Sequence, residues 1–164
     1  MMPRGADLAE LRHRAARAGR VALFAEEDAV PDLAALLADL PESVSGFAFA
    51  ALRDPAARPR ITAPSSLCLR WIGGGRGGAL LHRLELLAPP ASGGPRFVWF
   101  AAGGSGSAAA ARALLLARTR FLGQDVAISA CAGCPLHQAV RARAVSHSHA
   151  SLPSVRSGVP PARN

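Results

Sequence analysis

RFVWFAAGGSGSAAAARALLLAR, from Arg96 to Arg118, is the stretch that decides how this chain folds. An unbroken apolar run from Phe97 to Ala102 gives way to Gly103-Gly104-Ser105-Gly106-Ser107, then to a segment rich in alanine and leucine. Strand, tight glycine turn and helix follow in the order that α/β proteins use to bring a nucleotide or phosphate to the carboxyl edge of a parallel sheet. The first N–H groups of such a helix have no partner within it, and glycines remove the side chains that would hold a ligand away. Many glycine-rich turns of this kind bind nothing, so the flanking sequence has to decide.

Working outward, the flanks repeat the pattern. Arg20 to Ala25 (RVALFA) is a short apolar run without alternation, as in a strand buried on both faces. Glu26-Glu27-Asp28 follows, then Ala29 to Leu40 with Leu33, Leu36, Leu37 and Leu40 at helical spacing. Early acids and Pro31 suit a helix start, and Pro41 ends it. Ser45 to Leu52 and Leu67 to Ile72 read as strands, separated by a proline-rich loop from Arg53 to Pro64. Glycines at 73–75 and 77–78 close the second of these, and Ala79 to Leu87 reads as a short helix. The helix after Gly104 is expected to run to about Phe121, and Asp125 to Ser129 reads as a fifth strand. Leu8, Leu11 and Ala15 allow a further helix before the first strand. Strands alternating with helices predict a three-layer α/β fold around a mostly parallel five-stranded sheet. The α/β domain is expected over residues 1–130. Residues 131–164 hold four arginines and no acids, and read as a Cys/His-containing tail expected to be disordered.

Composition narrows the function classes. The chain has 164 residues, enough for one domain with a sizeable core. No apolar run approaches the roughly 20 residues a membrane span needs, and no secretory leader is expected before Arg20. Three cysteines without an export signal suggest reduced thiols and a cytoplasmic location. The net charge is +8, and all 19 basic residues are arginine. Because the arginines are scattered without interleaved aromatic residues, nucleic acid is not expected as a partner.

With the strands placed, four pieces together resemble the siderophore-interacting protein family, flavin-dependent ferric-siderophore reductases related to ferredoxin–NADP reductase. AEEDAVPDLAALLADLP (Ala25 to Pro41) is similar to the family's GDETALPAIARLLEELP-like segment. LCLRWIGGG (Leu67 to Gly75) resembles a strand ending in a tryptophan turn. VWFAAGG (Val98 to Gly104), with a helix carrying Arg112 and Arg118, resembles the VWVAGE strand and its arginine-bearing helix. Pro3-Arg4-Gly5 is similar to a segment at the family's interdomain boundary. The resemblance covers roughly Met1 to Ser129 and corresponds to the C-terminal, NAD(P)H-binding half. It departs from the pattern at Ala25 (glycine in the family), at Asp28 (threonine) and near Gly103 (glutamate). It also lacks the closing aromatic motif and the flavin-binding barrel.

The resemblance implies a sheet of the ferredoxin-reductase nucleotide-binding type. It implies NADPH or NADH as cofactor, and FAD only through a separate flavin-binding protein or domain. Ferric siderophore would be the electron acceptor, and iron release in the cytoplasm the outcome. Under this reading, Glu26, Glu27 and Asp28 accept bonds from ribose hydroxyls or the carboxamide while repelling pyrophosphate; otherwise they only stabilise a helix start. Arg53 would favour a 2′-phosphate and Asp54 an unphosphorylated ribose, unless the two are a solvated loop pair. Trp71 stacks on a ring or packs at the rim of the core. Gly103, Gly104 and Ser105 offer backbone contacts to the nicotinamide end. No catalytic side chain can be named. Cys68 reads as a core residue.

Two other functions stay open. One is a binding or regulatory module that keeps the sheet without hydride transfer. The other is a small metal or thiol-redox protein built on Cys131-Ala-Gly-Cys134 with His137, His147 and His149. Those spacings match no zinc-finger pattern, so no metal is expected.

Overall fold

The longest apolar runs become the buried strands. In a computed structural model, which describes residues 4–74, 77–117 and 125–130, β1 (Arg20–Ala25) is buried from Val21 onward and β4 (Phe97–Ala102) throughout. Strands covered on both faces need this pattern. β2 (Ser45–Leu52), β3 (Leu67–Gly73) and β5 (Asp125–Ala130) complete a five-stranded sheet in the order β3-β2-β1-β4-β5. All four pairings are parallel, and Phe24 lies level with Phe49 and Phe100. The expected α/β fold is therefore present.

Alternate strand residues divide the core in two. Val21, Leu23, Ala48, Ala50, Phe97 and Trp99 pack under α1 (Arg4–Ala18) and α2 (Val30–Ala38). Ala22, Phe24, Ala51, Val98 and Phe100 pack under α3 (Gly78–Glu85) and α4 (Ser105–Leu116). Right-handed crossovers explain the split, because a chain that reverses its direction across a sheet must move its helices to the opposite face. At nine residues α2 is too short to persist alone. Burial of Leu33, Leu36 and Leu37 holds it, at about 2 kcal/mol for each side chain. It begins at Val30 because a 3-10 turn over Glu27–Ala29 comes first.

α1 is fixed at the far edge of the sheet. Arg14 Nε donates to Asp125 Oδ2 at 2.8 Å and Arg14 Nη2 to the Val126 carbonyl at 3.0 Å, with the guanidinium 5.2 Å from the Phe97 ring centroid. The hydrogen bond from Arg14 holds the Asp125 carboxyl below its ordinary value of 3.8. A depressed carboxylate stabilises the fold fully above its unfolded pKa, and that stability is lost as pH falls through the folded value. The pair is partly exposed, so Asp125→Asn is expected to cost about 1 kcal/mol at pH 7. The cost should shrink as pH falls below 3.8 and through the lower folded-state value, as measured by denaturant titration across pH.

Cys68 departs from its expected place. It lies on β3 but is only partly buried, because the edge strand has an open groove against this side. The end of the fourth helix at Phe121 and the tail with Cys131, Cys134, His137, His147 and His149 lie outside the described residues. Among the described residues no helix is long and apolar enough to cross a membrane.

Candidate functional site

The strand order creates a switch point. From β1 the chain adds β2 and β3 on one side, then crosses back to place β4 and β5 on the other. Loops leaving β1 and β4 therefore diverge, and in open parallel sheets such a divergence opens a crevice beyond the carboxyl ends of the strands. Glu26 leaves β1 there and Gly103 leaves β4.

Glu26 joins the two. Its backbone N–H donates to the Ala101 carbonyl at 2.9 Å, and its side-chain Oε2 accepts the Gly103 N–H at 2.5 Å. Although Glu26 stands at the N-cap of the Glu27–Ala29 turn, its side chain caps nothing there. The carboxylate instead reaches across the switch point. At 8% exposure it is the one buried charged residue among those described, and its Oε1 is enclosed without a hydrogen-bond partner. Burying a charge with half its bonding unmet is costly, so such a group warrants a functional explanation. The wall beside it is glycine: a Cβ on Gly77 would lie 2.0 Å from Glu26 Oε1 and 2.9 Å from Ser107 Oγ. The starts of α3 and α4 thus both converge on this carboxylate.

The neighbouring acids have separate fates. Glu27 Oε2 accepts from Arg53 Nε at 2.6 Å, so the residues after β1 and β2 form an ion pair at the rim. That bond raises the Arg53 pKa above its ordinary value, with Glu27 the main cause. Asp28 is exposed, and its Oδ2 would lie 3.2 Å from a Cβ on Gly103. Asp54 accepts from Ala56 N–H at 2.8 Å and so caps the short turn after β2. Of the three acids, Glu26 is the one whose side chain is hydrogen-bonded across the switch point among the described residues.

Gly104 stands at the N-cap of α4 in extended conformation, and a Cβ there would meet nothing within 4 Å. The ground before the helix is open, with Ser105 as the first helical residue. Trp71 stands on a strand two places from β1 in the sheet. It lies on edge strand β3, partly buried against the core under α1 and α2. Gly77 and Ser107 were not legible as site residues; the doubled glycine turn after LCLRWI was the available signal. Among the described residues no group of histidines, cysteines and acids could hold a metal ion.

Taken together, these features define a doubly wound α/β domain with its switch point between β1 and β4. The family model described as siderophore-interacting protein matches residues 18–131, and the chain belongs to that family. The fold is similar to the siderophore-interacting protein SipS from Aeromonas hydrophila, with a TM-score of 0.57 at 16% identity over 80% of this chain and 53% of that one. A siderophore utilization protein from T. fusca aligns with a TM-score of 0.55 at 27% identity, over 71% of this chain and 46% of that one. The siderophore-interacting protein from Acinetobacter baumannii gives 0.57 at 16%, over 79% and 53%. The chain spans about half the length of these structures. No curated protein matches it.

Proposed function

We propose that the chain is the NAD(P)H-binding half of a ferric-siderophore reductase, working in the cytoplasm with a flavin held by a separate protein or domain. The observation that carries this reading is the Glu26 carboxylate at the switch point, buried beside Gly77 and Gly103 with one oxygen unpartnered. An enclosed acceptor of this kind suits a ligand that brings donors, such as a ribose diol or a carboxamide. The open space at Gly104 allows backbone contact beside it. Bound there, a reduced nicotinamide would supply the hydride, and a flavin held elsewhere would supply the single electrons for ferric iron.

Glu26 orients the donor-bearing end, while Gly103 and Gly104 let it approach the sheet. Arg53, paired with Glu27 after β2, is the cation that would meet a 2′-phosphate under this reading. One observation favours the runner-up, a binding module without hydride transfer: the carboxylate itself takes the Gly103 N–H, just before the α4 N-cap, that a phosphate could otherwise use.

The chain mixed with NADPH and ferric siderophore is expected to show no iron reduction until a flavin-binding partner is added, followed by absorbance of a ferrous chelate. Turnover without flavoprotein would contradict the division of labour. No turnover with any flavoprotein, alongside intact NADPH binding, would favour the runner-up.

A further inference from the structure

A second concave surface lies at the opposite ends of the strands from the switch point. It is a groove of about 640 Å³ between the N-terminal halves of β1 to β3 and the chain leaving α3. Topology explains why it exists. A parallel sheet is normally covered by helices on both faces because each crossover supplies one. Among the described residues, only the crossovers after β3 and β4 put helices on this face, and α3 is eight residues long, so the N-terminal ends of β2 and β3 are left without cover on that side. Phe47 is left 50% exposed and Leu86 62% exposed, and both line the groove with Phe49 and Cys68. Exposed apolar side chains gathered on one concavity, rather than scattered, mark a binding surface.

Two further observations fix the chemistry of the occupant. First, the aromatic rings are ordered. Phe24 is near-parallel to Phe100 at 6.0 Å (24°) and to Phe49 at 5.3 Å (17°). Phe49 in turn is near-parallel to Phe47 at 6.3 Å (22°). The row runs from the core to the groove and ends on a half-exposed ring, so a planar ring placed there continues it. Second, the charged residues lining the groove are Arg20 and Arg83, with no acid among the lining residues described. Arg20 is fixed across the rim by donating to the Gly93 carbonyl. Flat apolar floor and cationic rim together complement an aromatic ring bearing a carboxylate or similar anion. The volume falls in the range of small-molecule sites, about 300–1,000 Å³.

We propose that this groove is a binding site for a small anionic aromatic compound, separate from the switch-point crevice. The probe is 2-naphthoate, titrated calorimetrically into the full 164-residue chain, with 2-naphthylmethylammonium as the cationic control. Naphthoate is expected to bind one-to-one, and the cation about ten-fold more weakly. Phe47→Ala and Arg83→Gln are each expected to weaken naphthoate about five-fold or more, and Arg83→Gln to do so without moving the thermal midpoint, since its side chain is exposed. Bound naphthoate is also expected to slow alkylation of Cys68, followed by peptide mass. Equal affinity for both probes would overturn the proposal, and so would indifference to both substitutions. A dimer that Phe47→Ala dissolves, with no naphthoate bound, would assign the groove to a second copy and overturn it as well.

Discussion

Gly46→Ala is expected to lower stability by about 4 kcal/mol, the largest single-residue effect anticipated for this fold. Gly46 lies within β2 at φ +133°, a conformation that side chains rarely adopt, and a Cβ there would fall 2.0 Å from the Val21 carbonyl oxygen. The obstacle is backbone of the paired strand β1, held by the sheet ladder on both sides, so it cannot turn aside as a side chain can. Backbone strain and steric overlap therefore add. Gly74→Ala separates them, because Gly74 has φ +102° with nothing within 4 Å of its would-be Cβ. That substitution is expected to cost about 1–2 kcal/mol, from conformation alone. Urea denaturation of the two variants should differ by about 2 kcal/mol or more. Equal midpoints would mean that β1 and β2 separate more easily than their register implies.

Glu26→Gln carries the second large effect, and its two parts have opposite sign. The amide keeps an acceptor for the Gly103 N–H and removes a buried charge whose Oε1 has no partner. Stability is therefore expected to rise by about 1 kcal/mol, because an incompletely paired ion no longer has to be desolvated. Affinity for a reduced nicotinamide dinucleotide is expected to fall about ten-fold or more, the value of a hydrogen bond to a charged acceptor. Gain of stability with loss of binding is the signature of a residue retained for function. A variant that loses stability and binds unchanged would mark Glu26 as purely structural.

Parts of this were legible in the sequence, for physical reasons. Arg20–Ala25 and Phe97–Ala102 could be bounded directly, because an apolar run buried on both faces ends where solvent begins. The start of α2 was less clear, since acids suit the 3-10 turn Glu27–Ala29 as well as the helix after it. Cys68 misled because position in an apolar strand implies burial only where a helix covers that strand. The order of strands was implied by resemblance to a family, not by periodicity. Of the three consecutive acids, nothing local separated Glu26 from Glu27 and Asp28. The difference arises when β1 and β4 become neighbours and bring Gly103 to one of the three. Gly77 escaped notice for the same reason: its role is to leave room for a carboxylate fifty-one positions earlier in the chain.

The central claim is that the switch point between β1 and β4 receives a reduced nicotinamide dinucleotide. Calorimetric titration of the chain and of Glu26→Gln with NADH and with NADPH, each with and without FAD, tests it most directly. The account expects saturable one-to-one binding of at least one cofactor to the native chain, weakened about ten-fold in the variant. No heat of binding from either cofactor under any of these conditions, in a chain that remains folded, would contradict it.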